Sequence, residues 1–409
     1  MHPGRSPPCA AARSMCARCQ AAPCVASRIR VRRWPVALQV SQRANRIASV
    51  ETLHGQVARC RRHALYRLYR APMARSTSLS QAKGPDGASA TSNGVVISGG
   101  TSGLGYCLAR EFLQLGDRVV ICGRNEDRVQ EALKELQRHT DGGHSVFGMA
   151  CDVGNAEQVQ AFADFAQARL GTVTHWINNA GLVTRLKPLH EVDPDELRRV
   201  TEANLLGPLL CCRAAVRLMA NQEPMPDTES GLPSFHIFNL GFSSWGVLFS
   251  KSAATHKATK VGLSQLTRSL NEELQAATKA AASEGGSLFS ADGLGNIAVH
   301  QLSPGLVLTD LLLKDASPVA KRFFNVLAEE PETVARELAP RIRKVASRGE
   351  SVEFLSFTDA LYRVLSGVAT IIMGNGRFFN SAGERIQNGA EEFNENGVRI
   401  LYPAQKVSE

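Results

Sequence analysis

Tyrosine is scarce in this 409-residue chain, and where it is missing matters more than how much there is. The five tyrosines are Tyr66, Tyr69, Tyr106, Tyr362 and Tyr402, so none falls between Tyr106 and Tyr362. Any chemistry in that span has to proceed without a phenol. Acidic residues are nearly missing from the first 85 positions, where Glu51 alone stands against 15 Arg and one Lys. From position 86 onward, 31 basic residues meet 37 acidic ones. The basic balance therefore belongs to the head, and no nucleic-acid partner is expected for the body. An unbroken run of 18 apolar residues is also lacking. The nearest, 354–373, is interrupted by Asp359 and Arg363, so a membrane-spanning helix is not expected. Metal-ligand spacing is lacking too. Cys16 and Cys19 have no second pair, and His236, His256 and His300 are scattered, so no metal is expected.

The head itself, rich in Arg, Ser, Ala and Cys, reads as a transit peptide or disordered basic segment over 1–80, cut somewhere between Arg62 and Asp86. The five cysteines of the body, Cys107, Cys122, Cys151, Cys211 and Cys212, sit in apolar runs and read as small buried hydrophobes. From Gly94 the chain alternates β-branched runs with helical periods: "GVVIS", "RVVIC", "SVFGMAC", "VTHWINNAG", "SFHIFNLG" and "NIAVHQLSPG" are separated by helices. Asn125 is a plausible cap for one helix and Pro194 opens a long fourth one. This rhythm predicts an α/β fold, a doubly wound parallel sheet of Rossmann type over 94–312. A C-terminal helical lid and tail follow over 313–409, with a final helix over 351–374. Residues 221–234 and 279–296 read as surface loops, and no internal repeat is apparent.

The loop Ser98-Gly-Gly-Thr-Ser-Gly-Leu-Gly105 lies between the first strand and the first helix. Gly99, Gly103 and Gly105 allow a tight turn, with Thr101, Ser102 and Leu104 between them. The helix would then aim free N–H groups at a pyrophosphate. The second strand ends Cys122-Gly123-Arg124, with no acid until Glu126. A guanidinium there suits a ribose 2′-phosphate, so NADP(H) is expected over NAD(H). Asp152, followed by Val153, ends the third strand, either to accept from an adenine amino group or to cap the next helix.

Together these residues resemble the short-chain dehydrogenase/reductase family. The matching pieces are Gly99-x-x-x-Gly103-x-Gly105, Asn178-Asn179-Ala180-Gly181, Asn204, Ser243, Lys260, and Pro304-Gly305 followed by Thr309. The resemblance covers about 94–312. A narrower likeness, carried by "GYCLAREFL", "WINNAG", "LSPGLVLTDLLL" and "FFNVLAE", is to the chlorophyll(ide) b reductases of plants and algae, and reaches about Arg343. It implies reduction of the C7 formyl group of chlorophyll(ide) b to a hydroxymethyl group, with NADPH as donor, in the chloroplast, in the stroma or at the thylakoid surface. It further implies that Asn178, Ala180 and Gly181 line the ribose side, and that Lys260 binds the ribose. Pro304, Gly305 and Thr309 would flank the nicotinamide, and Asn204 would hold a relay water. The apolar segment 354–373 is read as a peripheral thylakoid contact, a seal on the pocket or simple packing, and a homo-oligomer or a hetero-oligomer with a homologue is what the resemblance implies.

Carbonyl reduction needs a polariser for the oxygen and an acid for the alkoxide. Ser243 is the candidate polariser, with Ser244 as the alternative. In the family the acid is a tyrosine four residues before the lysine; here that position is His256. Histidine titrates near 6.5, and Lys260 and Lys257 should push it down. At pH 7.5 about one tenth would be protonated at a pKa of 6.5, and about one hundredth at 5.5. That slows the step by roughly 1.4 to 2.7 kcal/mol without abolishing it. Three readings stay open: this reductase, a non-catalytic cofactor- or pigment-binding partner of an active reductase, and another NADPH-dependent carbonyl reductase with a hydrophobic substrate. For a wide apolar substrate, Trp245, Val247, Leu248 and Phe249 are candidates, as are Phe323, Phe324, Val326 and Leu327, although such clusters also build cores.

Overall fold

The chain divides into two units, 1–79 and 80–409. A computed structural model describes residues 92–139, 145–184, 186–226, 228–229, 231–243, 246–247, 252–283, 293–386 and 391–402, the side chains of 278 and 280–283 excepted. The expected transit peptide, Ser244, Trp245, Leu248 and Phe249 lie outside the described residues.

The β-branched run "GVVIS" becomes β1 (Gly94–Ser98), and all five of its residues are buried. It pairs in parallel with β2 (Arg118–Gly123) on one side and β4 (His175–Asn178) on the other. The full sheet adds β3 (Val146–Ala150), β5 (Phe235–Leu240), β6 (Ile297–Ser303) and β9 (Ser351–Glu353), in the order β3-β2-β1-β4-β5-β6-β9. Every pairing is parallel. The order reverses between β1 and β4, where Ser98 stands beside Asn178. In open parallel sheets the crevice at the carboxyl ends of such a switch point is where ligands bind.

Two apolar cores flank the sheet, as doubly wound folds require. On one face, Val95, Ile97, Ile177, Phe238 and Leu302 meet α1 (Gly103–Gln114), α2 (Glu126–Gln137) and α9 (Pro331–Arg343). On the other, Val96, Val120, Trp176, Ile237 and Val299 meet α3 (Ala156–Leu170), α5 (Gly207–Met219) and α6 (Ala254–Ser283). Cys107, Cys122, Cys151, Cys211 and Cys212 are buried and free in these layers. Asn125 caps α2 by accepting the Arg128 N–H, and Asn155 caps α3 by accepting the Gln158 N–H. A cap of this kind stabilises a helix by about 1 kcal/mol. Pro194 opens α4 (Pro194–Thr201) behind the Asp193 cap.

Four sequence expectations change. The long fourth helix runs unbroken but is not α-helical throughout: a π-helical turn, Glu202–Leu206, joins α4 to α5. Residues 351–374 are not one helix. Ser351–Glu353 form the seventh strand, and α10 (Phe357–Ser366) and α11 (Val368–Met373) follow. The sheet domain therefore runs past 312, because α9 packs on the α1 face and β9 closes the sheet edge. The lid proper consists of α7 (Asp310–Leu313), α8 (Pro318–Leu327), α10 and α11, with β7 (Leu306–Val307) paired to β8 (Ala328–Glu329).

Finally, the tail does contain a repeat. Phe379-Asn-Ser-Ala-Gly383-Glu-Arg385-Ile recurs as Phe393-Asn-Glu-Asn-Gly397-Val-Arg399-Ile. Each copy folds as a tight antiparallel hairpin, Phe379 facing Arg385 and Phe393 facing Arg399. In each, the asparagine carboxamide accepts two N–H groups of its own turn. Gly383 and Gly397 supply the left-handed residue at φ 81° and 77°.

Candidate active site

The glycine loop has the shape of a phosphate cradle. Gly99 and Gly103 sit at φ 67° and 52°, which other residues reach at a cost. A Cβ on Gly105 would lie 2.1 Å from the Gly99 carbonyl oxygen, so α1 can start this close only with glycine there. Thr309 closes over the loop from the opposite side, its methyl 3.1 Å from where a Gly103 Cβ would be. Thr101 packs on Gly123, Ser102 precedes the free N-terminus of α1, and Leu104 is buried. The residues present therefore fit a dinucleotide's pyrophosphate.

Two residues that the sequence reading left off the site hold this loop in register. The Asn179 carboxamide donates to the Ser98 and Gly99 carbonyls at 3.0 and 2.9 Å. The Ser98 hydroxyl accepts the backbone N–H groups of Asn179 and Ala180 at 3.1 and 3.2 Å. Asn179 was visible in the Asn-Asn-Ala-Gly motif, but only the fold shows which asparagine reaches across. Asn178 turns the other way: its carboxamide accepts from the Trp176 indole and donates to Asn239 and Cys212 inside the sheet. What Asn178 offers a ribose is backbone.

Arg124 is exposed just past β2 and makes no ion pair among the described residues. The nearby acid is occupied: Glu126 accepts the Ala150 N–H and the Gln130 amide. Asp152 does not cap α3, since Asn155 does; its carboxylate accepts the Gly154 N–H at the sheet edge instead. Val153 is buried against Gly207.

Deeper in the crevice, the end of β5 meets the first turns of α6. The Lys260 ammonium donates to the Leu240 carbonyl at 2.7 Å. Burial pulls its pKa down to about 8. The Asn204 carboxamide, in the π-turn, accepts the Leu182 N–H and donates to the Leu182 carbonyl, both at 2.7 Å, and donates to Thr259. Gly181 lies between them: a Cβ there would be 3.2 Å from Asn204 Oδ1 and 3.9 Å from Lys260 Nζ. The Ser243 hydroxyl accepts the Gly246 N–H at 3.1 Å. His256 stands edge-on to Phe242, the residue before Ser243, with ring centroids 5.5 Å apart. It is 7 % exposed, and neither ring nitrogen has a hydrogen-bond partner among the described residues. Burial first, and then the Lys260 charge, lower its pKa to about 4.

The short chain dehydrogenase family model matches residues 93–318, more than half of the chain. The chain belongs to that family. Among its short-chain dehydrogenase relatives, the chlorophyll(ide) b reductase NOL, chloroplastic, of Oryza sativa subsp. japonica is 38% identical over 282 residues, covering 67% of this chain and 75% of that one. The probable chlorophyll(ide) b reductase NYC1 of Arabidopsis thaliana is 35% identical over 319 residues, covering 73% of this chain and 58% of that one. The chain thus spans little more than half the length of the longer relative. A solved 3-ketoacyl-(acyl-carrier-protein) reductase from Brucella melitensis shares the fold at TM-score 0.50 and 22% identity, over 63% of this chain and 95% of that one.

As a short-chain dehydrogenase it departs from the family pattern at the acid. With His256 at a pKa of about 4, imidazolium at pH 7.5 amounts to roughly three molecules in ten thousand. This is far below the tenth to hundredth expected from the sequence, because burial adds to the lysine's charge. At the substrate end, Val247 is half-buried, Phe324 belongs to the lid's core, Val326 is buried against Gly367, Leu327 is partly buried, and Phe323 is exposed. Pro304 and Gly305, the latter at φ 71°, carry the chain from β6 toward Thr309.

Proposed function

We propose that this short-chain dehydrogenase reduces the C7 formyl group of chlorophyll(ide) b to a hydroxymethyl group, using NADPH, in the chloroplast. The substrate and compartment rest on the relatives named above; NADPH rests on Arg124 standing free beside an engaged Glu126. NADPH, when bound, supplies the hydride for the new C–H bond. Gly99, Gly103 and Gly105 receive the pyrophosphate, Arg124 the 2′-phosphate, and Asp152 the adenine amino group. The Gly181 turn and Lys260 hold the ribose, with Pro304, Gly305 and Thr309 along the nicotinamide. Ser243 donates to the carbonyl oxygen.

The alkoxide then takes its proton from neutral His256 rather than from an imidazolium. One ring nitrogen gives its proton to the oxygen, and the other takes one from the Lys260 ammonium one helical turn away through a bridging water, since the two side chains make no direct hydrogen bond. Lys260, with a pKa of about 8, holds that proton through most of the neutral range. Asn204, whose Oδ1 keeps a lone pair beyond the Leu182 N–H, holds the water that returns the proton. The observation that carries catalysis over mere binding is the buried imidazole with both nitrogens unpartnered among the described residues, one turn before a buried lysine.

The exposed Tyr362, Leu365, Ile372 and Met373 of α10 and α11 favour contact with the thylakoid surface, where the pigment resides. No described helix is long and apolar enough to cross a membrane.

The test is NADPH oxidation by the purified chain with chlorophyllide b. Turnover to the hydroxymethyl product supports the reading. NADPH binding without turnover assigns the chain to the non-catalytic partner class, and turnover of small aldehydes alone assigns it to other carbonyl reductases.

A further inference from the structure

The second tail hairpin, residues 391–402, touches both lips of the crevice just described. At one lip, the buried Tyr402 donates its hydroxyl to the Thr101 carbonyl in the middle of the glycine loop. Its ring lies 4.9 Å from that of Tyr106 on α1. At the other lip, Asn394 and Asn396 donate to the Asp310 carboxylate at 2.9 and 3.4 Å. Asp310 follows Thr309, the residue that closes over Gly103.

The hairpin is itself anchored away from the crevice. Arg399 pairs with Glu332 and Glu391, each at 3.3 Å. Arg385 of the first hairpin pairs with Glu330 and lies over Phe393 of the second, 4.6 Å from the ring centroid. The duplicated arginines thus fasten both hairpins to the acid-rich Glu329–Glu332 stretch, and leave the asparagines and tyrosine of the second copy free to reach the lips. The glycine loop has no side chain at Gly99, Gly100, Gly103 or Gly105 with which to hold itself, so an external brace has a physical task there.

We propose that the second tail hairpin is a staple across the dinucleotide crevice, with Tyr402 a positioning residue for the glycine loop and Asn394 one for the Thr309 segment. The proposal rests on reading that loop as the dinucleotide site, and its experiment reads binding alone, so it stands whatever the substrate is. Tyr402→Phe removes one hydroxyl and keeps the ring packed on Tyr106. NADPH binding to the full chain, titrated by nicotinamide fluorescence, should weaken about five- to tenfold, the size of one buried hydrogen bond. kcat at saturating NADPH should be unchanged while KM for NADPH rises.

By reciprocity, NADPH should slow hydrogen exchange at the amides of 394–402 in the wild-type chain, and less so in Tyr402→Phe. Arg399→Gln, which loosens the anchor without touching either lip, should weaken NADPH binding in the same direction by a smaller factor. A merely structural tail predicts otherwise: the midpoint of unfolding falls in Tyr402→Phe while NADPH affinity stays within twofold of wild type. That result, or tail exchange indifferent to NADPH, overturns the proposal. Wild-type chain that does not bind NADPH at all would instead remove the dinucleotide reading beneath it.

Discussion

This protein buries imidazole in two places, and the two are built differently. On the α1–α9 face of the sheet, His175, His236 and His300 stand side by side on β4, β5 and β6, with Phe238 among them. Their nitrogens are largely engaged, His175 Nε2 being the one buried without a hydrogen-bond partner among the described residues. His236 Nδ1 meets His300 Nε2 at 3.0 Å, His300 Nδ1 accepts the Glu350 N–H, and His175 Nδ1 meets the Thr174 hydroxyl. In the crevice, His256 is also buried, but among the described residues its two nitrogens have no hydrogen-bond partner. A buried imidazole with a partner has a structural explanation; one with both nitrogens unpartnered at a ligand crevice can take its partner from the substrate.

The comparison breaks first on acid. Burial lowers the pKa of His175, His236 and His300 below 6.5, to about 4 for His236 and about 3 for His300. Unfolded, these imidazoles would bind protons near pH 6.5. The unfolded state therefore binds more protons between about pH 6.5 and 4, and stability is full above that window and lost as pH falls through it. His236 alone costs on the order of 3 kcal/mol by pH 4. Burial raises the carboxyls of Asp117 and Glu330, which acts in the opposite sense. The unfolding midpoint should nevertheless drop steeply from pH 6.5 to 4 in a thermal scan series. A flat profile would show that the cluster takes up protons without opening.

Substitution separates the two sites. His256→Phe keeps an aromatic ring against Phe242 and deletes both nitrogens. Turnover of chlorophyllide b should fall about a thousandfold, within the usual range for losing a proton donor, with the unfolding midpoint held or raised. His236→Phe should do the reverse. It leaves His300 Nε2 unpartnered, costs about 2 kcal/mol of stability in denaturant unfolding, and spares turnover per folded molecule. Equal effects of the two variants on turnover would erase the distinction.

How much of this was legible in advance depended on whether a feature is local. The strand–helix alternation, the glycine loop, the Asn125 cap and the missing tyrosine are patterns within one segment, and the sequence shows them. The histidine cluster is not local: His175, His236 and His300 are scattered along the chain and meet only because parallel strands place them in register. The strand at Ser351–Glu353 was hidden because its short run merges into an apolar stretch of helical period. The Phe-Asn-x-x-Gly-x-Arg-Ile repeat was readable and was passed over, since only two copies occur and their arginines gain meaning from acids some 55 to 67 residues earlier. His256's low pKa could be given a direction from Lys260, but its size comes from burial, which no spacing reveals.

The smallest effect is the most specific to the relay. An imidazolium acid at a pKa of about 4 would make the rate fall tenfold per pH unit across the whole neutral range. A relay fed by Lys260 predicts a different shape: a plateau through neutrality and a single descending limb above about pH 8, where the ammonium gives up its proton. The limb should steepen to tenfold per unit by about pH 9, roughly 1.4 kcal/mol for each further unit. Single-turnover rates measured with NADPH saturating keep binding out of the profile. Lys260→Arg should carry the plateau upward, because a guanidinium stays protonated, but with a lower rate, since it releases its proton less readily. A profile that descends through pH 6 to 8 would return the proton to an imidazolium and place His256 back among ordinary acids.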